Sequence, residues 1–194
     1  MAEADRERWD RRHAEADVPS ASGGWLEALG DELPQAGRAL DVASGRGGLS
    51  LWLAQRGLAV SALDVSPVAL ERLRQAAKAL GVAVDARQLD LERDALPDGA
   101  FDFIACWHYR QAGLHAALCE RLAPGGLLAL EQHTVDNLQR HARPGRDYLA
   151  ERGELARFAL DGAPVPLQLC YYREGWLGDR AVARVLARRL DARA

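Results

Sequence analysis

Two short apolar strands, joined by a glycine turn and a helix, are the most constraining feature of the sequence. Residues 39–64 read ALDVASGRGGLSLWLAQRGLAVSALD, and the two strand segments end at Asp41 and Asp64. The turn holds Gly45 and Gly47, which let a ligand approach the backbone because no Cβ blocks it. An acid about 20 residues beyond such a turn suits the two hydroxyls of an adenosine ribose. The segment therefore predicts a strand–turn–helix–strand unit that binds an adenosine-containing cofactor.

The glycine spacing distinguishes two kinds of cofactor. A dinucleotide site favours Gly-x-Gly-x-x-Gly, in which the third glycine lets the helix pack closely on the strand. Gly45 and Gly47 fit the first two positions, but Ser50 occupies the third. Asp41 would repel a pyrophosphate, whereas it would attract the ammonium group of a methionine moiety. A sulfonium nucleoside is favoured at this point, and a dinucleotide stays open.

Length, charge and cysteine content limit the class of protein. The chain has 194 residues, of which 48% are hydrophobic, enough for one well-buried α/β domain. A net charge of −3 gives no basic footprint for nucleic acid. Three widely spaced cysteines form no metal or redox pattern and fit a reducing cytoplasm. A charged N-terminus argues against a targeting segment, and no apolar run reaches membrane-spanning length.

Strand and helix patterns alternate along most of the chain. This alternation predicts a Rossmann-like, doubly wound, mostly parallel seven-stranded sheet with helices on both faces. The tail predicts an antiparallel hairpin that closes the sheet edge. Beyond the strands of the 39–64 unit, strands are predicted at 82–89, 101–107, 127–133, 166–173 and 181–188. Helices are predicted at 3–16, 24–33, 66–80, 111–122 and 151–160.

No shift in composition marks a second domain, so residues 1–194 are predicted to form one domain. Within it we expect a helical lid at 1–34 and a cofactor-binding core at 35–133. A polar, arginine-rich insertion near the substrate site is expected at 134–164, followed by the hairpin at 165–194.

Candidate site residues follow several predicted strands. They are Asp41, Asp64, Asp90 and the segment from Cys106 to Tyr109. Because ligands in parallel α/β sheets bind beyond the carboxyl ends of the strands, we expect these residues to converge on one crevice.

The segment Asp-x-Ala-Ser-Gly-x-Gly at 41–47 resembles motif I of class I S-adenosylmethionine-dependent methyltransferases, which usually has glycine at the position of Ala43. Nearly the whole chain resembles the family of small-molecule methyltransferases that includes tellurite-resistance and thiopurine-methyltransferase-like proteins. The segments that carry this resemblance are RWDRR at 8–12, LDVSPVALERLR at 63–74, LAPGGLLALEQH at 122–133, RPGRDYLAERGELARF at 143–158 and CYYREG at 170–175.

The resemblance implies a role for each matching residue. Asp64 would bind the ribose hydroxyls, Asp41 would orient the methionine part of the cofactor, and Arg12 would pair with its carboxylate. Cys106 and Trp107 would lie beside the sulfonium and the acceptor. The implied cofactor-binding set is Trp9, Arg12, Asp41, Ala43, Gly45, Arg46, Gly47, Asp64, Val65, Asp90, Leu91, Cys106 and Trp107.

Structural roles stay open for some of these residues. Asp41 and Asp64 could cap helices, and Asp90 could belong to a solvated acidic turn. Trp9 could anchor an amphipathic helix, and Cys106 could pack as a small apolar group. The five histidines form no cluster with metal-ligand spacing, so no metal is predicted.

The predicted activity is methyl transfer to a small-molecule acceptor by a monomer or homodimer. The acceptor-side candidates are Trp107, His108 and Tyr109, of which the last two could act as a general base. Because no base is clearly signalled, a soft acceptor such as a thiol or a chalcogen oxyanion is favoured. The alternatives are an NAD(P)-dependent oxidoreductase and a protein that binds S-adenosylmethionine without turnover.

Overall fold

Seven strands and five α-helices make up most of the computed structural model, which describes residues 3–15, 17 and 19–191. The strands are β1 (Arg38–Val42), β2 (Ala59–Asp64), β3 (Val84–Gln88), β4 (Phe101–Trp107), β5 (Leu122–His133), β6 (Leu167–Leu177) and β7 (Arg180–Arg189). The α-helices are α1 (Glu3–Ala14), α2 (Gly48–Gln55), α3 (Pro67–Leu80), α4 (Leu114–Glu120) and α5 (Glu154–Arg157).

The strands form one seven-stranded sheet in the order β3-β2-β1-β4-β5-β7-β6. β2 pairs in parallel with β1 and β3, and β4 pairs in parallel with β5. β7 runs antiparallel to both β5 and β6. The predicted Rossmann-like sheet with an antiparallel C-terminal hairpin is confirmed. By contacts the chain divides into two compact units, the first ending at Gly99 and the second beginning at Ala100. The prediction of one domain stays a prediction.

In the first unit, helix α3 is held by caps that its sequence encodes. Ser66 is the N-cap, and its Oγ accepts a hydrogen bond from Ala69 N at 3.1 Å. Pro67 stands in the first turn, and Gly81 ends the helix with a φ of 68°. The apolar face of α3 packs with Leu51 of α2 and Ala62 of β2 into a buried cluster. This cluster fixes the helices that follow β1 and β2.

In the second unit, β5 and β7 supply long buried runs and β6 is the exposed edge strand. β5 begins at Leu122, whereas the prediction began at residue 127. The pairing of β4 with β5 shifts between Phe101 and Phe103, and this bulge keeps the Pro-Gly-Gly sequence at 124–126 within the strand.

Two predicted helices differ from the structure. Gly24–Glu32 is a 3-10 helix and not an α-helix, and it is interrupted by a kink at Leu29, whose backbone is not helical. The helix predicted at 151–160 is only one turn, α5, followed by a π-helical turn at Phe158–Gly162. None of the helices in the described part of the chain combines the length and apolar character needed to cross a membrane.

Candidate cofactor and acceptor sites

The glycine turn between β1 and α2 is built from left-handed backbone. Gly45 and Gly47 have φ values of 55° and 78°, and Ala43 also has a positive φ, of 55°. A Cβ at Gly47 would overlap the buried side chain of Leu73 in α3, so close packing there favours glycine. The turn closes through a hydrogen bond from Gly47 N to Ser44 O at 2.9 Å. Gly47 therefore serves both the packing and the shape of the turn, and Gly45 serves its shape.

Asp64, at the end of β2, is bonded directly to the glycine turn. Its Oδ2 accepts from Gly45 N at 2.7 Å, and its Oδ1 accepts from Ser66 N at 2.9 Å. Burial raises the pKa of this carboxyl group, although the two backbone N–H groups counteract part of that effect. The predicted ribose-binding acid thus stands against the turn predicted to meet the same cofactor.

Asp41, the residue before the last of β1, is almost fully buried. Ser50 Oγ donates a hydrogen bond to Asp41 Oδ2 at 2.5 Å. Burial raises the pKa of Asp41 to about 7, and the bond from Ser50 only partly offsets this effect. Ser50 and Asp41 are the two residues that depart from the dinucleotide pattern, and this hydrogen bond joins them.

His13 of α1 is a candidate site residue that the sequence prediction missed. Its Cε1 lies 3.5 Å from the position a Cβ would take at Gly45. Desolvation lowers the pKa of His13, and the charge on Asp64 opposes that shift. The His13 ring stacks on Trp9 with centroids 5.9 Å apart. The i, i+4 spacing of Trp9 and His13 on one helix was the available signal.

The residues around the turn fit a nucleoside cofactor. Ser44 Oγ is buried and has no hydrogen-bond partner among the described residues. A buried hydroxyl without a partner is costly, and a polar group of a ligand would satisfy it. With the Asp64 carboxylate and the left-handed turn, this hydroxyl provides the donor and acceptor groups that a ribose or an amino-acid moiety needs.

The other predicted cofactor residues of the first unit have mixed surroundings. Val65 and Leu91 are half-buried, and Val65 O accepts from Gln88 Nε2 at 3.2 Å. Asp90 belongs to an acidic turn, where its Oδ1 accepts from Glu92 N at 3.1 Å. The Arg46 guanidinium donates to Asp17 O, and the Arg12 guanidinium lies 5.4 Å from the Trp9 ring.

In the second unit, the residues at the end of β4 separate into packing and polar groups. Cys106 is fully buried and its Sγ lies 3.5 Å from Tyr109 O, so its surroundings fit the packing role that the sequence left open. Trp107 is half-buried, and Tyr109 Oη donates to Gln111 Oε1 at 3.0 Å. His108 follows β4 with a φ of 57°, a rare value for a residue with a side chain.

His108 is held by two contacts to β5 that the sequence prediction missed. His108 N donates to Glu131 O at 2.7 Å, and His108 Nε2 lies 3.0 Å from Glu131 Oε1. Arg184 Nε of β7 donates to the other oxygen, Glu131 Oε2, at 2.5 Å. Burial alone would raise the pKa of Glu131, but His108 and Arg184 together lower it. A carboxylate within a predicted buried strand was the signal for this site.

The described residues contain no group of three or more His, Cys, Asp or Glu side chains that could hold a metal ion.

Residues 39–126, which include the glycine turn, Asp41 and Asp64, match a protein family described as "Methyltransferase domain". By sequence, this part of the chain is therefore similar to a methyltransferase domain. The matched segment is somewhat less than half of the chain and ends before the polar segment at 134–164.

Curated relatives of the methyltransferase domain resemble about half of this chain. A ribosomal RNA small subunit methyltransferase C from Chromohalobacter salexigens is 37% identical over 113 residues, covering 53% of this chain and 33% of that protein. A ubiquinone biosynthesis O-methyltransferase from Pseudomonas paraeruginosa is 40% identical over 100 residues, covering 47% of this chain and 42% of that protein. The matches thus span less than half the length of these relatives.

The similarity to known proteins extends, in fold, beyond the matched segment. The crystal structure of TehB from Haemophilus influenzae has a TM-score of 0.69 to this chain and 19% sequence identity. The similarity covers 87% of this chain and 62% of TehB, which shows a shared fold.

Proposed function

We propose that the chain transfers a methyl group from S-adenosylmethionine to a small-molecule acceptor. The observation that carries this proposal is the Asp64 carboxylate, which accepts from Gly45 N at 2.7 Å and so places an acid on the glycine turn. The methyltransferase-domain match at 39–126 supports it independently and disfavours the oxidoreductase alternative.

The residues of the chain act mainly by binding and positioning. When bound, the cofactor supplies a methyl group already activated on a sulfonium. Alignment of two bound reactants can lower a barrier by about 7–11 kcal/mol, so positioning supplies much of the rate. Asp64 holds the ribose hydroxyls, Ser44 Oγ gains a polar partner, and Asp41 orients the methionine part. His13 joins the predicted binding residues as part of the same proposal: Trp9, Arg12, Ala43, Gly45, Arg46, Gly47, Val65, Asp90, Leu91, Cys106 and Trp107.

The acceptor is proposed as a small molecule met by Trp107, His108 and Tyr109. A thiol or a chalcogen oxyanion needs no base, whereas the name of the ubiquinone biosynthesis O-methyltransferase points to an oxygen acceptor. The net charge of −3 favours an acceptor other than nucleic acid. A cytoplasmic location and a monomer or homodimer belong to the same proposal.

Transfer of radiolabel from methyl-labelled S-adenosylmethionine to a panel of thiols, selenium and tellurium oxyanions and phenols tests the activity. We expect label in at least one acceptor class and calorimetric binding of S-adenosylhomocysteine without binding of NADH. Binding of S-adenosylhomocysteine with no label in any class would favour the non-catalytic alternative. Tight NADH binding without S-adenosylhomocysteine binding would favour the oxidoreductase.

A further inference from the structure

A buried carboxylate holds one nitrogen of an exposed histidine in the second unit. The Glu131 side chain is 8% exposed and the His108 side chain is 43% exposed. Because the carboxylate accepts hydrogen bonds, the 3.0 Å contact places the ring proton on Nε2 of neutral His108. The lone pair then lies on Nδ1, for which the described residues show no hydrogen-bond partner. This pair of side chains, the His108–Glu131 dyad, therefore presents a basic nitrogen, His108 Nδ1, to solvent.

We propose that His108 is the general base of this protein and that its acceptor carries an acidic, phenol-like hydroxyl. The inference rests on the proposed methyl transfer and specifies its substrate class. A phenol, with a pKa near 10, is acidic enough for an imidazole to assist its deprotonation. A thiol or a chalcogen oxyanion would not require the dyad.

The proposed step couples a proton transfer to a methyl transfer. The O–H bond of the acceptor breaks and its proton moves to His108 Nδ1. The oxygen forms a bond to the methyl carbon, and the C–S bond breaks with its electron pair kept on sulfur. The products are a methyl ether, S-adenosylhomocysteine and an imidazolium, which returns its proton to water.

Of the groups that face His108, the Glu131 carboxylate stabilises the imidazolium formed in this step. Glu131 bonds to Nε2, and Arg184 holds the other oxygen of that carboxylate at 2.5 Å. The His133 ring stacks on His108 with centroids 4.4 Å apart and planes 13° apart. Burial, with the charges of His108 and Arg180, lowers the pKa of His133 to about 4, so His133 stays neutral. His141 adds a weaker effect on His133.

The backbone of His108 supports a functional reason for the dyad. A φ of 57° costs energy for a residue with a Cβ, and such strain is kept where the surroundings enforce it. Here the bond from His108 N to Glu131 O, at 2.7 Å, enforces it. One residue of β5 therefore fixes both the backbone and the ring of His108.

The first test measures which ring nitrogen of His108 carries the proton, and it needs neither cofactor nor turnover. Nitrogen-15 NMR of the imidazole rings is expected to show neutral His108 protonated at Nε2, with Nδ1 bare. Glu131→Gln is expected to weaken this preference. A neutral His108 protonated at Nδ1 in the unsubstituted protein would overturn the proposal, whatever the outcome of the activity assays.

The second test compares acceptors. His108→Gln is expected to reduce methylation of phenols by about 100-fold or more, with the acid limb of the pH–rate profile lost. Binding of S-adenosylhomocysteine is expected to be unchanged. His141→Gln is the matched control, because His141 also contacts a carboxylate, with Nε2 3.3 Å from Asp179 Oδ2. This control is expected to methylate phenols at the unsubstituted rate.

Three results of the second test would contradict the inference. Unchanged phenol methylation in His108→Gln would remove His108 as the base. Methylation of thiols or oxyanions but not phenols by the unsubstituted protein would refute the substrate class. If the protein methylates nothing, the proposed function fails and the inference fails with it, while the NMR result still reports the state of the dyad.

Discussion

Ala43 carries backbone strain at the start of the glycine turn. Its φ of 55° explains why the methyltransferase motif that residues 41–47 resemble usually has glycine at this position. A left-handed residue with a Cβ costs about 1–2 kcal/mol, whereas glycine costs about 0.5–1 kcal/mol in lost chain entropy. The sequence departure therefore has a conformational cost that a comparison of side-chain size does not reveal.

Ala43→Gly is expected to raise the free energy of unfolding by up to about 1 kcal/mol, measured by chemical denaturation. The matched control is Ala62→Gly in β2, a buried alanine that does not have a positive φ. That control is expected to lower stability by about 1 kcal/mol. Equal destabilisation by both changes would show that Ala43 is not strained.

Asp41 links stability to pH. Its pKa is raised from 3.8 to about 7 in the folded chain, so the folded state binds more protons than the unfolded state between these values. Its contribution to stability is fully present below the unfolded pKa and is lost as the pH rises through the folded pKa. Asp41→Asn, which cannot ionise, is expected to remove this loss.

Denaturation of both proteins from pH 4 to pH 8 measures the effect of Asp41. The stability of Asp41→Asn relative to the unsubstituted chain is expected to increase with pH, by at most about 1.4 kcal/mol per unit. A difference that does not change with pH would mean that Asp41 titrates normally.

At the scale of elements, helix α1 is fastened to α3 by side chains. Ser66 Oγ donates to Asp10 Oδ1 at 2.5 Å, and Arg72 donates to Ala14 O at 2.6 Å. Through these bonds α1 carries His13 to the glycine turn. The N-cap of α3 therefore also positions the segment predicted as a lid.

Asp10→Ala is expected to loosen α1, because the hydrogen bond from Ser66 Oγ to Asp10 would be lost. Trypsin cleavage after Arg11 and Arg12 should then become several-fold faster. Glu7→Ala is the control, because the contact that the structure describes for Glu7 is an exposed one, 3.9 Å from Arg11 Nη1. Identical cleavage rates for the two variants would show that the bond to Ser66 does not hold the helix.

The sequence predicted the elements whose signals are local. Apolar runs placed β1, β2 and β4, and Ser66, Pro67 and Gly81 placed α3, because strand burial and helix capping act within a few residues. The start of β5 was wrong because a bulge, set by pairing with β4, keeps 124–126 inside the strand. Such pairing has no signature within the segment itself.

The candidate sites were also predicted only in part, because residue pairs that form by packing have no local signal in the sequence. The two strand-end acids and the glycine turn follow from a pattern in the chain. Ser50 with Asp41, and Arg184 with Glu131, are pairs separated by 9 and 53 residues and formed by packing. His108 was named from the sequence, but its contact with Glu131 was missed because it forms by packing between the end of β4 and β5.

At the scale of the whole molecule, the family match covers only part of the chain. Residues 39–126 match the methyltransferase domain and contain the strand-end acids of β1 and β2. The segment at 134–164 and the β6–β7 hairpin lie beyond the match. The proposed acceptor-side residues Trp107, His108 and Tyr109 lie within the match, whereas Glu131, which contacts His108, lies beyond it.

Calorimetric titration of S-adenosylhomocysteine into three proteins tests the central claim most directly. They are the unsubstituted chain, Asp64→Asn and Asp85→Asn, the last replacing an exposed acid on β3. We expect Asp64→Asn to weaken binding by about 1–3 kcal/mol, because charge-assisted hydrogen bonds to the ribose are lost. Asp85→Asn should bind like the unsubstituted chain. Equal affinity for all three proteins, with folding confirmed by thermal denaturation, would contradict the assignment of Asp64 to the cofactor.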